Sequence, residues 1–65
     1  MNIQTFYDQI SETTYNLKEA GVDTTNLENQ VRAVINLAFS ESRDIDVLEW
    51  DMVDSTVATL RCKLN

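Results

Sequence analysis

The chain has no histidine, no proline, one glycine and one cysteine among its 65 residues. Each scarcity excludes a class of chemistry. Without histidine the commonest general base is missing, and Cys62 has no imidazole to activate it as a nucleophile. One cysteine closes no internal disulfide, and a lone Cys without His makes no zinc site of the usual kind. A single glycine leaves no glycine-rich loop to cradle a phosphate. No low-complexity tract, repeat or linker divides the chain, so residues 1–65 read as one small domain. No run is long and apolar enough to cross a bilayer. The start, MNIQTFYDQI, lacks the basic stretch and apolar core of a secretory leader. These absences together imply a cytoplasmic, non-enzymatic protein that holds no cofactor.

Positive charge is scarce too. Five Lys and Arg face eleven Asp and Glu, a net of -6. The excess is concentrated in ESRDIDVLEWDMVD, residues 41 to 54. There Glu41, Asp44, Asp46, Glu49, Asp51 and Asp54 stand against Arg43 alone, a net of -5. Direct binding to nucleic acid or to an anionic membrane takes a basic patch, which this pattern argues against. A basic protein surface is the partner it favours. Keeping a small domain soluble accounts for the same charge more plainly.

The first 40 residues are patterned as two helices. Ile3, Phe6, Tyr7, Ile10, Thr14 and Leu17 share one face of a helix over residues 2 to 20. Asn2 is its N-cap, and Lys18 complements the dipole at its end. Gly21 stands where a left-handed residue would stop it, with Val22 folding back on the last turn. The second helix starts from Asp23, with Val22 and Leu27 as a hydrophobic staple, or one turn later from a Thr25–Glu28 capping box. Leu27, Val31, Val34, Ile35 and Ala38 form its apolar stripe, with Phe39 at the edge and Glu28, Gln30, Arg32 and Asn36 outside. So short a linker makes the two helices an antiparallel hairpin.

Residues 45 to 64 allow two readings. Val47, Trp50, Val53, Val57, Leu60 and Leu64 step by three or four, which would complete a three-helix bundle. Leu48, Trp50 and Met52 also alternate with Glu49 and Asp51, as do Ala58, Leu60, Cys62 and Leu64 with Thr59, Arg61 and Lys63. The Asp, Val, Thr and Ser of residues 51 to 59 are mediocre helix formers, and Asp54-Ser55 is turn chemistry. A loop of odd length there would set Met52 opposite Ala58, Trp50 opposite Leu60 and Glu49 opposite Arg61. The expected fold is therefore α+β, an antiparallel αα-hairpin followed by a β-hairpin, with the three-helix bundle as the alternative. Trp50 and Cys62 are then core residues.

On such a hairpin Glu49 and Asp51 point away from the core, with Glu41, Asp44, Asp46 and Asp54 near the strand ends. Carboxylates on one strand face lie roughly 6 to 7 Å apart, twice the rise per residue. That spacing is comparable with the phosphates of a nucleic-acid strand. A calcium loop is excluded, because Asp44-Ile45-Asp46 is not continued by the further Asp and Gly such loops need. A small acidic chain carrying ESRDIDVLEWDMVD resembles, in size and charge pattern, the phage-encoded inhibitors of bacterial defence, the anti-CRISPR and DNA-mimic groups. The resemblance implies stoichiometric blockade of a nucleic-acid-binding enzyme. The expected function is thus an inhibitor whose six carboxylates meet Lys or Arg on a basic partner. The rival is a self-associating structural or regulatory protein, a homodimer with Val47, Val57 and Phe39 at its interface. A third reading is an acidic antidote to a basic toxin.

Overall fold

Two helix ends built on one plan divide the chain into three helices. The computed structural model describes residues 1–64. They form α1 (Ile3–Glu19), α2 (Thr25–Ser40) and α3 (Val47–Cys62). Helix α1 begins at Asn2, whose Oδ1 accepts hydrogen bonds from the amides of Gln4 (2.7 Å) and Thr5 (3.2 Å). It ends in a Schellman motif. The Gly21 N–H donates to the Lys18 carbonyl at 2.9 Å, and the Val22 N–H donates to that of Leu17 at 3.0 Å. Gly21 has φ +86°, a conformation costly to any residue with a Cβ. Val22 is thereby turned back onto the core.

Helix α2 ends the same way without a glycine. Ser42, at φ +52°, donates its N–H to the Phe39 carbonyl at 3.2 Å, and Arg43 donates to that of Ala38 at 3.0 Å. Its start falls between the two sites expected. Thr24 is the N-cap residue, and its buried hydroxyl donates to Glu28 Oε1 at 2.6 Å. Asp23 Oδ1 accepts from both the N–H and the hydroxyl of Thr25. The Thr25–Glu28 box does not form. Glu28 and Gln30 are half-buried rather than outward, and Gln30 Oε1 is buried without a partner among the described residues.

The core takes one large, fully buried side chain from each helix: Phe6, Leu27 and Val53. Around them pack Ile10, Leu17, Val31, Val34, Val57 and Leu60. Trp50 sits half-buried, its ring edge-on to Phe6 at 5.8 Å and 75°. Ile45, in the α2–α3 connection, is buried and held by a reciprocal pair of backbone bonds. Its N–H donates to the Met1 carbonyl (2.7 Å), and the Met1 amino group donates to the Ile45 carbonyl (3.0 Å). The bundle measures 38 × 18 × 16 Å.

The β-hairpin is not formed. Among the described residues there is no strand, and the α+β expectation gives way to the three-helix alternative. Burial outweighs the poor helix propensity of residues 51 to 59, because Trp50, Val53, Val57 and Leu60 face the core only at helical spacing. The threonines that argued for a strand are accommodated. Thr56 Oγ1 donates to the Met52 carbonyl at 3.3 Å and Thr59 Oγ1 to that of Ser55 at 3.1 Å. Cys62, expected inside, is exposed.

Candidate functional site

Half of the carboxylates of the acidic segment are turned to internal use. The left-handed turn at Ser42 brings Arg43 to the start of α3. There its guanidinium grips the Glu49 carboxylate with two bonds, Nη1 to Oε1 at 2.7 Å and Nη2 to Oε2 at 3.2 Å. Arg43 also donates through Nε to Glu41 (3.1 Å) and through Nη1 to the Asp44 carbonyl (3.0 Å). Glu49 Oε1 accepts from the Asp46 N–H at 3.1 Å, while Asp46 Oδ1 accepts from the Leu48 N–H at 3.2 Å, a capping box. The Arg43 bonds and then the Asp46 N–H hold the Glu49 carboxyl below the usual glutamate range. Glu49, and after it Glu41, push the Arg43 guanidinium up.

The six carboxylates expected to form one face are therefore divided. Glu41 and Glu49 are paired to Arg43, and the Glu49 side chain is only 16% exposed. Asp46 caps α3. Asp44, Asp51 and Asp54 are exposed and form no ion pair among the described residues. On a helix, residues two apart point about 200° apart, so Glu49 and Asp51 lie on opposite sides of α3. The phosphate-like row of carboxylates does not exist. Much of the acidity is N-terminal helix chemistry, where negative groups are favoured. Asp46-x-x-Glu49 ahead of an apolar run was the sequence signal for it.

Apolar surface takes its place as the leading feature, in two parts. The first is a groove between α1 and α2, of about 740 Å³. Ile3, Ile10, Val31 and Ile35 form its base, and the exposed rings of Tyr7, Tyr15 and Phe39 stand beside it. Lining residues run from Ile3 to Lys18 along α1 and from Glu28 to Phe39 along α2, so it spans nearly both helices. A 2.9 Å ion pair between Lys18 and Glu28 crosses one end. That bond, and after it the Thr24 hydroxyl, keeps the Glu28 carboxyl below its usual range. The second part is the outer side of α3, where Val47 is 70% and Leu48 74% exposed, with Met52 beyond them. Of the three residues expected at a dimer interface, Phe39 (67% exposed) lies on the groove and Val47 on α3, but Val57 is in the core.

No set of three carboxylate or thiol side chains among the described residues is placed to hold a metal ion. No helix of the described residues is long and apolar enough to cross a membrane. No family model, curated protein or solved structure matches the chain.

Proposed function

We propose that this chain is a non-enzymatic, self-associating helical domain. The observation that carries the reading is the first half of α3, where apolar side chains face outward as well as towards the core. Val53, Val57 and Leu60 face the core, while Val47, Leu48 and Met52 face out. Further along, the outer side of α3 is polar, with Ser55 and Thr59 exposed, so its uncovered apolar surface lies in the first two turns. The groove between α1 and α2 is the second uncovered surface.

The energetics fit a modest affinity. Burying Val47, Leu48, Met52 and Phe39, at about 1.5–3 kcal/mol each, is comparable with the roughly 4–15 kcal/mol cost of association. Binding in the micromolar range or weaker follows, so the experiment is sedimentation equilibrium from micromolar to millimolar chain. The expected result is a mass that rises with concentration and persists in molar salt, because apolar contacts are not screened. A monomer at every concentration would overturn the reading.

The acidic inhibitor remains as a second reading because Asp44, Asp51 and Asp54 are exposed without ion-pair partners. It is narrowed from six carboxylates to three. It predicts capture of a basic, nucleic-acid-binding protein that is lost as salt rises, and the antidote reading predicts the same with a basic toxin.

A further inference from the structure

We propose that the α1–α2 groove of one copy receives the outer face of α3 from a second copy. The inference rests on the self-association reading and specifies its geometry. Three pairings of the two apolar surfaces are conceivable: groove on groove, α3 on α3, and groove on α3. Charge selects among them.

The groove is a locally basic place in an acidic molecule. Lys18 and Arg32 line it, with Glu28 as its one acid. Glu28 is already shared between Lys18 and Thr24. Arg32 is exposed and forms no ion pair among the described residues. The α3 face has the opposite sign. Asp51 follows Val47 by one turn and Leu48 by three residues, so it projects among the apolar side chains, and Asp54 lies a turn further. Pairing groove with groove would bring two Lys18 and two Arg32 together with only the two Glu28 carboxylates, each already engaged within its own copy. Pairing the apolar first turns of α3 with themselves would bring Asp51 towards its own copy, and like charges at a contact are strongly disfavoured. Groove on α3 joins unlike charges while covering both apolar surfaces.

Shape agrees with charge. Leu48 and Met52, four residues apart, form a ridge on one side of the helix. Anchors at such spacing are how an amphipathic helix seats in a groove. The groove, running along two helices of 16 and 17 residues, is long enough for the 16 residues of α3. The contact is heterologous. Each added copy leaves one groove and one α3 face open, so assembly continues until a ring closes or a fibre forms.

This geometry has a distinctive test in full-length chains. Phe39→Glu spoils the groove and Leu48→Glu spoils the α3 face. Both positions are exposed, so both variants keep the fold, which helical circular dichroism verifies. Tyr7→Glu provides a second groove variant at another exposed position. Sedimentation velocity is run where the wild type is associated. Each variant alone is expected to be monomeric. An equimolar mixture of the two is expected to form a two-chain species and nothing larger, because one intact groove meets one intact α3 face. Its mass rises towards twofold that of either variant. If Leu48→Glu alone assembles as the wild type does, the groove pairs with itself and the inference falls. If Phe39→Glu and Tyr7→Glu assemble normally, α3 pairs with itself and it falls likewise. It also falls if both surfaces are needed yet the mixture stays monomeric. A wild type that never associates removes the self-association reading as well, which separates that failure from the other three.

Discussion

Ser42 holds a backbone conformation that glycine adopts at no steric cost. At φ +52° it plays the part in ending α2 that Gly21 plays in ending α1. A left-handed residue with a Cβ costs about 1–2 kcal/mol, partly offset by the greater chain entropy glycine loses on folding, about 0.5–1 kcal/mol. Ser42→Gly should therefore stabilise the chain by about 0.5–1 kcal/mol, and a thermal melt should show a gain of several degrees. An unchanged or lowered midpoint would mean that the serine makes a contribution the turn geometry does not contain. The strain has a use. Only this sharp stop brings Arg43, six residues before Glu49, close enough to grip its carboxylate with two bonds. The concentration of acids was legible in the sequence, but this internal pairing was not, because it depends on a turn that no glycine announces.

At the scale of the helix, the Asp46–Glu49 box and the Arg43 grip together fix where α3 starts. Their pH dependence has a definite sign. The folded-state carboxyl of Glu49 lies below the 4.5 of an unfolded glutamate. The unfolded chain therefore takes up a proton first as pH falls, and the stability Glu49 contributes is complete above that value and lost progressively below it. Glu49→Gln keeps an oxygen for the Asp46 N–H but removes the charge from Arg43. The variant should melt a few degrees lower than wild type at pH 7, and the two should converge as pH falls through and below 4.5. A gap that persisted in acid would show that Arg43 is not what Glu49 serves. The helices themselves were unequally legible. The bounds of α1 and the end of its turn could be read from Asn2, Gly21 and Val22, because local chemistry writes them. Helix α3 could not be settled, because Leu48 and Met52 outside, with Val53 and Val57 inside, blur the helical period into alternation. The apolar side chains on the outside of its first turns, which blur that period, are also the surface proposed to meet a second copy.

For the whole molecule, size is decisive. Sixty-five residues support a stability of roughly 3–10 kcal/mol, at about 0.05–0.15 kcal/mol per residue. Small domains commonly supplement such a core with disulfides, metals or association. One exposed cysteine offers no internal disulfide, and no metal cluster lies among the described residues. Under the proposed function, association through the exposed groove and the outer side of α3 would be that supplement. Its central consequence is that two separate surfaces must change environment together when copies meet. Amide NMR spectra recorded on serial dilution measure this residue by residue. Concentration-dependent shifts are expected at Tyr7, Ile35 and Phe39 along the groove and at Val47, Leu48 and Met52 on α3, with Phe6, Leu27 and Val53 in the core unmoved. Spectra that do not change with concentration, or that change only at Asp44 and its neighbours, would contradict the account.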